Sequence, residues 1–165
     1  MIAYLEGKII SKNKNSVVVL TANGVGYEVF VMPILLAKFQ TGDLAKLHTF
    51  FQVREDSQGL YGMESKNELE FFKLLISVSG VGPKSALHIM ALGDIEEIQN
   101  AISKKDLAFL TKVSGIGRKI AERIVVELKD KLAILEKTEG HQGTKLGDIM
   151  DALTGLGYSV IEARE

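Results

Sequence analysis

Two glycine-bounded turns carry the chemistry legible in this chain. Val78-Ser79-Gly80-Val81-Gly82 returns thirty-five residues later as Val113-Ser114-Gly115-Ile116-Gly117. Around these segments Leu75 matches Leu110, Lys84 matches Lys119, Ala86 matches Ala121 and Ile89 matches Ile124. Each copy reads as helix, Gly-aliphatic-Gly turn, helix. The first amides of a helix have no partner inside it, and the helix dipole adds partial positive charge at the same end, so each turn is a ready anion site. Gly80, Gly82, Gly115 and Gly117 let a phosphate oxygen approach the main chain without striking a Cβ. Lys84 stands just past the first turn, and Arg118 and Lys119 just past the second. Arg123 falls about one helical turn beyond Lys119, on a similar face. Backbone donors read phosphate and not base edges, so the pattern implies a sequence-independent grip on a polyphosphate, DNA above all. The competing reading is a duplicated helical hairpin kept for packing alone.

These turns need helices to hold them, and the sequence supplies helices only from Ser65 onward. Leu69, Phe72, Leu75 and Ile76 recur at three- and four-residue spacing, which predicts a helix over 67–77. Further helices are expected over 84–91, 95–103, 105–112 and 118–135, with Asp94 as an N-cap. Residues 1–64 read as β. Val17 to Leu20 is a strand-like run, Asn23-Gly24 is a hairpin signal, and Tyr27, Val29 and Val31 follow at period two. Gly24-Val25-Gly26 shares the Gly-Val-Gly spelling of the later turns, but a strand pattern follows it, so it reads as a β-turn. Pro33 opens a short helical stretch over 34–39. A strand over 46–54 runs into the polar turn Glu55-Asp56-Ser57-Gln58-Gly59, and Leu60 to Met63 returns as another. Several short strands with tight turns in some sixty residues predict a small closed barrel such as an OB-fold.

The fold expected is therefore α+β and multidomain: an OB-fold barrel over 1–64, a tandem helix-hairpin-helix domain over 65–136, a flexible linker over 137–145, and a partial helical module over 146–165. The linker reading rests on the polar, glycine-containing run Lys137 to Lys145. In the last segment Ile149, Leu153 and Leu156 make one short apolar face before Gly157-Tyr158.

Composition limits the function classes. The 165 residues contain no cysteine, which excludes disulfides, thiolate metal sites and a cysteine nucleophile. No apolar run approaches a membrane span, and Glu6 and Lys8 interrupt any signal-peptide core, so a cytoplasmic protein with no membrane partner is expected. The net charge of −1 means that any DNA-binding charge must be local.

No catalytic constellation stands out. His48, His88 and His141 lie in three separate regions without ligand spacing, and there is no P-loop, so no metal, cofactor or ATP hydrolysis is expected. A helix-hairpin-helix DNA glycosylase is the enzyme alternative. Its aspartate would have to be Asp130, which falls inside a predicted helix and reads as a surface charge. A single-strand-binding barrel is the other alternative, stacking bases on Tyr4, Phe50, Phe51 or Tyr61, which read mostly as core.

With these motifs in view the chain resembles the RuvA family over nearly its whole length. The resemblance rests on the opening strand to Gly7, on Gly24-Val25-Gly26-Tyr27-Glu28-Val29, and on Val53-Arg54-Glu55-Asp56 with Leu60-Tyr61-Gly62. It continues through Phe72 to Ile76, Gly80-Val81-Gly82-Pro83-Lys84, and Gly115-Ile116-Gly117-Arg118-Lys119 with Ala121-Glu122-Arg123. The paired hairpins are shared by many DNA repair proteins, whereas their combination with an Arg-Glu-Asp turn on a barrel is far more specific. The resemblance implies a non-catalytic subunit that binds four-way (Holliday) junctions, holds them open and flat, and loads the ATP-driven motor RuvB. It implies a homotetramer, or two tetramers about one junction, with the resolvase RuvC as a further partner. It also implies that Glu55 and Asp56 act as an acidic pin at the crossover, although the residues by themselves read as a soluble hairpin turn. The family's three-helix C-terminal module contacts the motor. Here its first helix and the start of its second are present, with Leu153, Leu156 and Tyr158 at matching positions.

Overall fold

The computed structural model describes residues 1–139. The expected linker beyond Glu139 and the module carrying Leu153, Leu156 and Tyr158 lie outside the described residues. Five strands, β1 (Tyr4–Lys12), β2 (Ser16–Leu20), β3 (Gly26–Val31), β4 (Leu44–Val53) and β5 (Gln58–Met63), close into a barrel in the order β1-β2-β3-β5-β4. All pairs are antiparallel except β3 with β5, where Val29 pairs Leu60 and Val31 pairs Gly62. This is the OB arrangement expected from the strand spacing. Period-two alternation sends Leu5, Ile9, Val17, Val19, Val29, Val31, Leu47 and Leu60 inward. Asn23-Gly24 makes the β2–β3 turn, with Gly24 at φ +80°. A short helix α1 (Pro33–Lys38) bridges β3 to β4.

The barrel closes tightly at Gly62. A Cβ there would stand 2.7 Å from a methyl of Val29 and 3.0 Å from Leu47, both wholly buried.

Ser65 starts the helical part. Its hydroxyl accepts from the Glu68 amide at 3.1 Å, and the Glu68 carboxylate accepts from the Ser65 and Glu64 amides at 3.3 and 2.7 Å, a complete capping box. Helices α2 (Lys66–Ile76), α3 (Pro83–Met90), α4 (Ile95–Ser103), α5 (Leu107–Leu110) and α6 (Arg118–Glu139) follow. Asp94 caps α4 through the Glu97 amide at 2.7 Å.

Two helix boundaries differ from the apolar pattern. The helix expected over 105–112 shrinks to α5, because Lys105 adopts φ +59° and Asp106 takes the N-cap, accepting from the Phe109 amide at 3.0 Å. At the other end, α6 continues to Glu139 and takes in the first residues of the expected linker. Lys137-Thr138-Glu139 contain no breaker, and the first glycine is Gly140.

The chain divides into two units, Met1–Leu128 and Lys129–Glu165, so the barrel and both turns lie in one. Within it an aromatic column joins sheet to helix. Phe30 stacks on Tyr61 at 5.4 Å, Tyr61 stacks on Phe72 of α2 at 5.8 Å, and Phe50 meets Phe72 at 5.6 Å.

Gly62→Ala should destabilise the protein by about 1–3 kcal/mol, because the β-branched Val29 cannot yield without leaving its rotamer. Urea unfolding followed by circular dichroism measures this, and an unchanged midpoint would show that the barrel has slack there.

Candidate nucleic-acid interface

The repeat seen in the sequence is a repeat of packing. Leu75 and Leu110, Val78 and Val113, Val81 and Ile116, Ala86 and Ala121, and Ile89 and Ile124 are all buried. Val81 and Ile116, the aliphatic residues between the glycines, plug the gap between the helices of each hairpin as their apolarity requires. Lys84 and Lys119, also matched, are both exposed.

Each turn closes in the same way. The Val81 amide donates to the Val78 carbonyl at 3.0 Å, and the Ile116 amide to the Val113 carbonyl at 3.0 Å. The third residue of each turn is Gly80 at φ +95° or Gly115 at φ +87°. A tight turn of this kind needs positive φ there, which only glycine adopts cheaply. Gly82 then caps α3 and has no side chain to bond the helix amides, and Gly117 precedes α6 in the same way. The first-turn amides of Lys84 and Ser85, and of Arg118 and Lys119, precede the point where intrahelical bonding begins. A Cβ on Gly82, Gly115 or Gly117 would meet nothing within 4 Å. The space in front of both turns is open, and what faces it is unpaired N–H.

The cations beside the turns differ in how they are held. Lys84 Nζ lies 5.5 Å from the centre of the Phe30 ring, so a barrel aromatic braces it. Arg118 pairs with Glu122 one turn along α6 at 2.9 Å, an exposed pair of small energetic weight. Lys119 makes no ion pair among the described residues.

Arg123 does something its sequence position did not reveal. Its Nη1 donates to the carbonyl of Ser79, inside the first turn, at 2.8 Å. Beside that bond, a Cβ on Gly80 would contact Ile120 at 3.7 Å. The second hairpin's helix is thereby stapled to the first hairpin's turn, forty-four residues away. Arg123 also approaches Glu127 at 4.0 Å, which steadies the guanidinium.

The polar turn after β4 stands out from the barrel. The ladder ends at Val53 opposite Gln58, and the Arg54 amide donates to the Ser57 carbonyl at 2.8 Å. Glu55 and Asp56 occupy the two central positions, exposed, and neither forms an ion pair among the described residues. Two exposed carboxylates that no ion pair neutralises among the described residues project a field that repels phosphate. The turn and the first hairpin share a cleft of about 350 Å³, lined by Arg54, Ser57 and Gln58 on one side and by Gly82, Lys84 and Ser85 on the other.

The residues raised for other chemistry are dispersed. Tyr61 is buried, Phe50 and Phe51 are half-buried, and Tyr4 is exposed with its ring edge-on to His48. Asp130 falls within α6. Burial raises the Tyr61 phenol above its usual value, opposed by the Arg54 guanidinium. A raised pKa means that this burial favours the fold below pH 10 and stops doing so as the pH climbs through the folded value.

Sequence comparison agrees with this geometry. The model described as the RuvA N-terminal domain matches residues 1–62, and a SAM-like helix-hairpin-helix tandem model matches residues 72–130. Three relatives each bear the name Holliday junction branch migration complex subunit RuvA. That of Acetivibrio thermocellus is 39% identical, covering 100% of this chain and 87% of its own. That of an Anaeromyxobacter species is 44% identical, covering 99% and 85%, and that of a Thermoanaerobacter species is 41% identical, covering 99% and 87%.

Arg123→Ala should lower stability by about 1 kcal/mol, the net worth of one charge-assisted hydrogen bond discounted for partial exposure. The loss should vanish when the measurement is repeated on a form in which the first turn is already disrupted, as a mutant cycle with Gly80→Ala would test. Additive losses would mean that the two hairpins are held together by other contacts.

Proposed function

The chain belongs to the RuvA family, and from that premise we propose that it binds four-way DNA junctions through their backbones and serves as the DNA-holding subunit of a branch migration complex. The observation that carries this reading is the pair of stapled turns. Each presents unpaired amides and adjacent cations to open space, and a direct hydrogen bond fixes their separation. Amides of Gly82, Lys84 and Ser85, and of Gly117, Arg118 and Lys119, hold phosphate oxygens, and the Lys84, Arg118 and Lys119 side chains add charge. Arg123 contributes mainly by keeping the two turns in register, with its remaining donors available to the same backbone. None of these groups reads a base, so binding is independent of sequence.

Glu55 and Asp56 supply the selectivity. Carboxylates at the tip of an exposed turn disfavour a continuous duplex lying across them and favour a point where strands diverge. Four such subunits in a closed ring match the four arms, in keeping with the symmetry usual for homo-oligomers. A ring places all its basic turns on one face, which lets a chain of net charge −1 bind a polyanion. A second ring on the opposite face would enclose the junction. Chemistry is left to partners: the motor RuvB consumes ATP, and the resolvase RuvC cuts. Contact with the motor is assigned to the segment 146–165, in which Leu153, Leu156 and Tyr158 stand at the family's matching positions. The complex works on chromosomal DNA in the cytoplasm.

A mobility shift comparing four-way, linear and single-stranded DNA, together with a mass measurement, tests the reading. A monomer with no junction preference would refute it. Gly117→Ala should leave stability within about 0.5 kcal/mol, since its Cβ would meet nothing, yet weaken junction binding, because the methyl group occupies the path of a phosphate. Lys119→Glu should weaken binding to every DNA sequence alike and flatten the salt dependence by about one unit of slope. Full binding by both variants would move the contact elsewhere. Replacing Glu55 with Gln and Asp56 with Asn should raise affinity for linear duplex relative to junction. A constant ratio would reduce this turn to an ordinary loop.

A further inference from the structure

The cleft between the barrel and the first hairpin has walls suited to one kind of ligand. Arg54 and Lys84 line it from opposite elements, and no carboxylate lines it. The remaining polar lining comes from the amides of Gln52 and Gln58 and the hydroxyls of Ser57 and Ser85. Gly82, Pro83, Lys84 and Ser85, at the start of α3, line the same cleft. Arg54 directly precedes two carboxylates in sequence, yet among the described residues it pairs with neither. Arg54 and Tyr61 line the same cleft, so Arg54 stands on the cleft side of the turn.

The floor is rigid. Lys84 rests over Phe30, Phe30 stacks on Tyr61, and Tyr61 stacks on Phe72. Lys84, held over that column, and Arg54, on the other wall of the cleft, have no ion-pair partner among the described residues, so both attract an anion that enters the cleft. A guanidinium fork and an ammonium group suit a phosphodiester, the first bidentate and the second as a point charge.

We propose that Arg54 and Lys84 form a third phosphate-holding site, which receives the DNA strand immediately beside the crossover as it turns away from Glu55 and Asp56. The proposal rests on the junction-binding reading above and deepens it. One turn then performs two opposite tasks. Its tip repels the strands from the axis, and its shoulder catches the strand so displaced against the first hairpin. Arg54 is thus a residue specific to the junction, whereas Lys119 serves any duplex arm.

The test uses the full chain with a four-way junction carrying 2-aminopurine next to the crossover, and linear duplex as the control. Arg54→Gln should weaken junction binding about three- to tenfold, lower the salt slope by about 0.9, and reduce the fluorescence rise that reports unstacking at the crossover. Linear duplex affinity should not change, and Arg54→Lys should restore the slope. Equal loss on junction and duplex would overturn the crossover assignment, and no loss on either would overturn the site. If Arg54→Gln fails to fold, Gln58→Glu places a negative charge in the same cleft and should produce the same junction-specific loss. Its failure to do so would equally overturn the site. A parent protein without junction preference would instead refute the underlying functional reading, so the two failures are distinguishable.

Discussion

The bond from Arg123 to the Ser79 carbonyl is the constraint on which the rest of this molecule depends. A single helix-hairpin-helix turn offers a few amides to a phosphate and little else. Two turns become a clamp only if their separation matches the rise of a DNA backbone and does not drift. Here the helix that follows the second turn reaches back to the first. The guanidinium accomplishes this because it is planar, always charged and long enough to cross from α6 while Ile120 packs beneath it.

From that staple outward, the unit holding the barrel and both hairpins is braced in series. The aromatic column Phe30–Tyr61–Phe72 ties the barrel to α2, which leads into the first turn. Lys84 sits on the open face of the same column. The acidic turn, the cleft, the first hairpin and the second are therefore consecutive features of one body. The acidic tip at Glu55 and Asp56 and the cationic cleft wall at Arg54 belong to one and the same turn.

The barrel's role is mechanical as much as chemical. A closed β1-β2-β3-β5-β4 sheet has no edge to fray, and β4 and β5 extend beyond it as a two-strand arm ending at Glu55 and Asp56. Tight interior contacts around Gly62 anchor the base of that arm. A paired two-strand base holds the field of a charged tip in place, which an unpaired loop would average away.

Local rules made much of this legible in advance. Alternation at Val17, Val19, Val29 and Val31 gave the barrel strands, and the spacing of Leu69, Phe72 and Leu75 gave α2, because burial acts on side chains at fixed periods. The repeated Gly-aliphatic-Gly pattern gave both turns between helices, because positive φ and tight turn closure are properties of a few consecutive residues. α5 was misjudged in length, since Lys105 at φ +59° and the cap at Asp106 break a pattern that apolar spacing alone continues. Arg123 shows the limit most clearly. Its spacing from Lys119 suggested a second charge along one helix face, and nothing local could show that its partner would be a carbonyl forty-four residues earlier. Arg54 and Lys84 were visible only as separate letters, and the cleft between them exists because sheet closure and the α2–α3 turn bring distant segments together. Sequence determined which groups are donors, acceptors and charges. Tertiary structure alone decided which of them face one another, because long-range contacts depend on how whole elements pack and leave no period in the chain.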